Sequence, residues 1–217
     1  MTISRQATLV MLSPNNSGMR THEIDTVTIH HCAGNIKMRA LGNMFAQKSR
    51  RGSANYGIGS DGTVACFVPE ELRSWCSNSE PNDQRAITIE VANSDGAPEW
   101  PISSKAYNAL IALLADIVRR NPGMRGSLRW AGDSSLINQI DVQNITLHKW
   151  LYPTACPGPY IERRMPDIVR DVNALLTIDP KIYTIQIGAY HDRGNAERML
   201  RIVRTAYPDA FIKEVIQ

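Results

Sequence analysis

The stretch "LHKWLYPTACPG", Leu147 to Gly158, sets His148 and Cys156 eight positions apart, with Pro153 between them and Pro157 directly after the cysteine. Imidazole nitrogen and thiolate sulfur are ligands that Zn2+ favours, and a catalytic zinc takes three protein ligands and keeps a fourth position for water. His148 and Cys156 supply two of these, and "IHHCAG", Ile29 to Gly34, is the obvious source of a third. On a strand His30 and His31 point to opposite faces, so one is a ligand and the other faces solvent or a helix. The plainer reading of the same residues is a buried thiol near an ordinary histidine.

A candidate acid/base sits in "AITIEVAN", where Glu90 stands between Ile89 and Val91. A carboxylate in an apolar strand is costly to ionise without a partner, and its pKa tends to rise. A general base working near neutral pH needs that shift. The alternative is a strand-edge glutamate whose side chain reaches water.

These residues need elements to position them. "DTVTIHH" is short and β-branched and predicts a buried strand ending at the histidines. "IKMRALGNMFAQKSR" predicts a helix, with Lys48, Arg50 and Arg51 suiting its C-terminus. "ANYGIGSDGTVACFV" predicts a hairpin turning at Ser60-Asp61-Gly62. "SSKAYNALIALLADIVRR" predicts a long helix capped by Ser103 or Ser104, closed by Arg119 and Arg120 and stopped by "NPG". Residues 122–143 predict a long loop, "NITLHKW" a strand, and "PYIERRMPDIVRDVNALL" a helix with a kink or break at Pro166. Strands interleaved with helices give a mixed α/β domain, helices packed on a central sheet, ending near Leu176.

Composition limits the function classes. The chain has 217 residues, 43% hydrophobic and 21% charged, the profile of a globular protein. A net charge of +3 gives no electrostatic argument for nucleic acid. It would suit a mildly anionic bacterial wall. No run approaches the ~20 apolar residues of a membrane helix. Four scattered cysteines do not make a disulfide scaffold. "MTISRQATLVMLSPNNSG" lacks the pattern of a signal peptide, so the chain as given is expected to be made in the cytoplasm.

Four blocks, "TIHHCAG", "SANYGIGSDGTVACFVPE", "NDQRAITIEVAN" and "LHKWLYPTACPGPYI", occur in that order. Over roughly residues 20–175 the chain resembles the type-2 N-acetylmuramoyl-L-alanine amidases, a family that includes phage lysozymes with amidase activity and peptidoglycan recognition proteins. The resemblance implies a Zn2+ held by His30, His148 and Cys156. It implies Glu90 as the proton carrier and Tyr56 as an oxyanion donor. Thr154 stands where phage relatives often have lysine, so its hydroxyl would take that role. Many relatives carry a Trp-His pair where this chain has Trp75-Cys76, which implies altered substrate contacts. Of the four tryptophans, Trp150 is the expected cleft residue, with Lys149 positioning the wall peptide. Lost zinc ligands mark relatives that only bind peptidoglycan, and all three are present here. The other rival is a zinc peptidase acting within the stem peptide.

After "TIDP" the pattern restarts. "KIYTIQIGAY" alternates as a strand, "DRGNAERMLRIVRTAYP" has helical spacing at Ala196, Met199, Leu200 and Val203, and "AFIKEVI" gives a last strand. This small βαβ unit, residues 177–217, resembles the first half of a SPOR domain. That resemblance implies binding to glycan strands stripped of stem peptides. A unit so small hardly buries enough surface alone. It is expected to dock, to pair with a second copy as a homodimer, or to be part of something longer. The whole is expected to act on the bacterial wall as an endolysin or autolysin, with the endolysin favoured by the N-terminus.

Overall fold

The computed structural model describes residues 1–177, 188–207 and 210–212. In chain order the elements are β1 (Leu9–Val10), β2 (Asn16–Met19), β3 (Thr26–His31), α1 (Met38–Phe45), β4 (Tyr56–Ile58), β5 (Val64–Cys66), β6 (Leu72–Ser74), α2 (Glu80–Arg85) and β7 (Ala86–Val91). They continue as α3 (Ser104–Arg120), β8 (Ile145–Leu147), α4 (His148–Leu151), α5 (Pro159–Thr177) and α6 (Arg193–Arg204). The chain divides into two compact units, Met1–Asp179 and Pro180–Gln217.

In the first unit six strands form a mixed sheet in the order β1-β5-β4-β7-β3-β8, and β2 pairs with β6 apart from it. The centre is parallel: β4, β7, β3 and β8 run together, and only the β4–β5 hairpin is antiparallel. Central parallel strands are covered on both faces and read as apolar runs, which "TVTI" and "AITI" are. One face packs α3 and α5, through buried residues such as Leu110, Leu114, Ile161 and Met165, on Ile29, Ile89 and Tyr56. The other face carries α1, whose Met38, Leu41 and Phe45 cluster with Phe67.

Register decides which side chain meets which face. Thr28, paired with Thr88 and Thr146, belongs to the α1 side together with His30, paired with Glu90, itself paired with Gly57. Gly57 is required there, because a Cβ would stand 2.6 Å from Phe67 Cε2 and 2.8 Å from Met38 Sδ. Thr28 Oγ1 and Thr146 Oγ1 meet at 2.8 Å, and Asn82 of α2 bonds both of them. This buried polar strip seats α2 on the sheet two residues short of the histidines.

The long helix starts where its cap demands, with Ser103 Oγ accepting from Ala106 N at 3.0 Å. Three expectations change. The first helix ends at Phe45, and Lys48–Arg50 form a separate 3-10 turn, which turns these charges away from a helix terminus. α5 runs unbroken through Pro166. Pro166 lies on the exposed side of the helix while Ile161, Met165, Ile168 and Val172 are buried, so core packing outweighs the one lost backbone bond. The strand in "NITLHKW" stops at Leu147, and His148 opens α4.

In the second unit α6 is capped by Asp192, whose carboxylate accepts from Asn195 N at 2.8 Å. Ala196, Met199, Leu200 and Val203 are half-buried, as their spacing predicts. The two expected tail strands fall largely on residues 181–187 and 213–217, outside the described residues. All four cysteines are free. No helix among the described residues is long and apolar enough to cross a membrane.

Candidate functional site

His30 is the penultimate residue of β3, and His148 directly follows β8. These strands are parallel neighbours with Ile29 opposite Leu147, so the next residues, His30 and His148, stand side by side. Their Nδ1 atoms are 3.2 Å apart. Cys156 arrives from the turn after α4 and brings Sγ to 3.5 Å from His30 Nδ1. That turn is well held. The Cys156 carbonyl accepts from Lys149 N at 3.0 Å, and Cys156 N donates to Thr154 Oγ1 at 3.2 Å. His31 N donates to Cys156 Sγ at 3.4 Å. Gly158 follows with φ +83, and a Cβ there would press on Trp100 at 3.1 Å.

One nitrogen or sulfur from each of His30, His148 and Cys156 lies within 4.8 Å of the others. The donor set fits zinc on two counts. Zinc bonds of about 2.0–2.1 Å to nitrogen and 2.3 Å to sulfur give tetrahedral edges of about 3.4–3.6 Å, close to the spacings seen. Burial also holds both imidazoles neutral, His30 well below the ordinary histidine range and His148 lowered in the same sense, which leaves ring nitrogens free to donate. Burial, then Glu90, pushes the Cys156 thiol up, so metal binding would have to displace its proton.

Glu90 stands beside this cluster, as its pairing with His30 requires. A Glu90 carboxylate oxygen, Cys76 Sγ and a His30 ring nitrogen form a second group within 4.8 Å of one another. Oε2 of Glu90 is buried with no hydrogen-bond partner, and Oε1 accepts from the Cys76 thiol at 3.8 Å. Burial raises its pKa to about 7, a rise that Cys32, Cys76 and Arg50 offset only in part.

The remaining expected residues divide. Thr154 is exposed beside the cysteine turn, and its hydroxyl hydrogen is not used by the bond from Cys156 N. Tyr56 does not reach the cluster. It pairs with Ile89, one step out of phase with Glu90, and so belongs to the α3 face. Its hydroxyl donates to Glu70 Oε1 at 2.5 Å and accepts from Ser4 N at 2.7 Å. Lys149 is tied to Glu162 at 2.7 Å. Trp150, half-buried, stacks on Trp130 with ring centroids 5.2 Å apart and packs against the core. His31 faces Trp100, edge to face at 5.2 Å.

A groove of about 570 Å³ opens from Glu90 and Cys76 and is lined further out by Arg50, Arg51, Arg73 and Trp75. Arg73 pairs with Glu80, whereas Arg50 and Arg51 have no ion-pair partner among the described residues. Arg50 lies in the 3-10 turn after α1 and Arg51 directly follows it, where the sequence predicts a helix end, and the tryptophan lining this groove is Trp75. "RR" followed by glycine was the available signal for a turn that throws both side chains outward; Arg51 has φ +51.

A family model described as N-acetylmuramoyl-L-alanine amidase matches residues 20–159, more than half of the chain. The chain belongs to the N-acetylmuramoyl-L-alanine amidase family. A SPOR domain model matches residues 179–217. Among solved structures, AmpD in a selenomethionine derivative aligns with a TM-score of 0.57 and 18% identity, over 78% of this chain and 99% of that one. PlyL aligns with a TM-score of 0.50 and 13% identity, over 75% of this chain and 93% of that one. At such identities the likeness is one of fold. No curated protein sequence matches the chain.

Proposed function

We propose that this amidase is zinc-dependent and hydrolyses the bond between N-acetylmuramic acid and the L-alanine that begins the peptidoglycan stem peptide. The observation that carries the reading is the buried His30–His148–Cys156 cluster beside an unpaired carboxylate oxygen of Glu90. His30, His148 and Cys156 would hold the zinc, which when bound would supply Lewis acidity toward the scissile carbonyl and water.

The remaining work falls to the chain. Glu90 accepts the proton of the attacking water on its free oxygen and returns it to the L-alanine amine as the C–N bond breaks. Burial in the apolar strand disfavours the charged form of Glu90 and so suits it to give the proton back. Thr154 turns its free hydroxyl hydrogen to the developing oxyanion. The leaving peptide lies in the groove, where Arg50 and Arg51 meet its carboxylates. Residues 177–217 bind glycan strands stripped of stem peptides, the product of the reaction, and are the candidate contact for a homodimer. The reading covers both a phage endolysin and a bacterial autolysin.

Purified protein is incubated with purified peptidoglycan, and the soluble products are identified by mass spectrometry. Free stem peptides beginning at L-alanine, with intact glycan, are expected. Peptides cut internally would move the assignment to a zinc peptidase. No release from protein shown to hold zinc would make it a binding module.

A further inference from the structure

Cys76 stands where the groove meets the metal-ligand cluster, and the reading above gives it no task. It lines the groove, and its thiol lies 3.8 Å from Glu90 Oε1. Cys32, just past β3, is a second thiol within hydrogen-bonding reach of the same carboxylate. The other carboxylate oxygen is buried and unbonded.

The position of Cys76 is firmly set. Cys76 N and Ser77 N both donate to Asp83 Oδ2 at 3.1 Å, and Ser77 Oγ donates to Asp83 Oδ1 at 2.5 Å. Asp83 is 3% exposed, and neighbouring Asn82 bonds both Ser77 Oγ and the Thr28–Thr146 strip beneath the histidines. A buried carboxylate spent on two backbone amides and a hydroxyl is a strong local anchor. It fixes the turn carrying Cys76 to β3, which carries His30, and to β8, which His148 directly follows.

A thiol is a weak donor. At this point an apolar side chain would leave Cys32 alone to restrain the Glu90 carboxylate about its last torsion, which is broad for a terminal carboxylate. A guanidinium or ammonium would neutralise it outright. The weak donor restrains the group while leaving it available as an acceptor.

We propose that Cys76 is a positioning residue for the general base: its thiol holds one oxygen of Glu90 so that the other faces the His30–His148–Cys156 cluster. The inference rests on the reading of Glu90 as the proton carrier.

The test compares the full-length, zinc-loaded native protein with Cys76→Ala and Cys76→Ser, measuring kcat, KM and zinc per chain on peptidoglycan. Cys76→Ala should keep its zinc and its KM within about twofold while kcat falls about tenfold, the scale of a slightly misplaced reacting group. Cys76→Ser, which restores a donor of similar size, should recover most of kcat. Native kcat in Cys76→Ala, or an equal loss in both variants, overturns the proposal. A loss confined to KM makes Cys76 a groove contact instead, and a loss of zinc makes it a ligand. If Cys76→Ala does not fold, Cys76→Val carries the same comparison. Should the native protein release no peptide, the amidase reading itself fails and takes this inference with it, a result distinct from any difference between variants.

Discussion

Tyr56 and Glu90 show how much one step of strand register decides. Both sit in the blocks that suggest an amidase, yet Tyr56 pairs with Ile89 and Glu90 with Gly57, so the two side chains leave the sheet on opposite faces. Alternation was legible in the sequence, but the relative phase of two strands far apart in the chain was not. Tyr56→Phe should therefore leave kcat unchanged and lower stability by about 1–3 kcal/mol, since it removes a buried bond to the ion-paired Glu70. A large fall in kcat with unchanged unfolding would return Tyr56 to the site. Glu90→Ala should keep zinc and lose turnover by about 10²–10⁴-fold, while Cys156→Ser should lose both zinc and activity. Metal analysis beside a peptide-release assay separates the two. Glu90 also links stability to pH in the metal-free protein. Its folded pKa, about 7, lies above its ordinary value of 4.5, so between these pH values the native state binds a proton that the unfolded chain has released. The Glu90 contribution to native stability should fall as pH rises through that window, by up to about 3 kcal/mol, against the opposite contribution of the depressed His30 and His148, and Glu90→Gln should remove the Glu90 part alone. Denaturant melts of metal-free native and variant proteins at pH 5 and pH 8 measure it. Equal pH dependence in both would mean that Glu90 is solvated.

At the level of elements, the strands β3 and β7 and the long helix were readable, whereas α4, which carries His148, and the connections were not. β3 and β7 announce themselves as apolar β-branched runs, and α3 by its serine cap and closing arginines. The groove depends instead on where α1 ends. A helix continued through Lys48 and Arg50 would have spread these charges round its surface. The helix ends at Phe45, whose ring meets Phe67 edge to face at 5.2 Å. The turn that follows delivers Arg50 and Arg51 to the groove beside Glu90. If they meet carboxylates of the leaving peptide, the double variant Arg50→Ala/Arg51→Ala should raise KM about tenfold, leave zinc in place, and weaken the dependence of KM on salt. Initial rates at low and high ionic strength decide it, and an unchanged KM would leave the arginines as solvated surface.

The molecule as a whole sets a self-contained catalytic unit before a much smaller one. Both hydrophobic clusters are built entirely from residues 3–176, and every member of the candidate site lies in Met1–Asp179. A unit of that size buries enough apolar surface to fold alone, whereas Pro180–Gln217 hardly does. Removing residues 180–217 should therefore leave zinc content and the rate on short soluble muropeptides unchanged. The thermal midpoint should move by less than about 4 °C, equivalent to roughly 1 kcal/mol for a chain of this size. What the truncated chain should lose is retention on glycan strands stripped of stem peptides, because the tail would hold the enzyme on wall already cut and next to bonds still intact. Tethering of this kind raises the local concentration of substrate without any new contact at the active site. Its signature is a lower rate on intact sacculi with an unchanged rate on small substrates. Cosedimentation of full-length and truncated protein with denuded glycan, read beside the two rates, makes the comparison. Equal sedimentation of both would mean that the tail does not bind glycan, and a truncated protein that fails to fold would show that it is part of the catalytic unit's core.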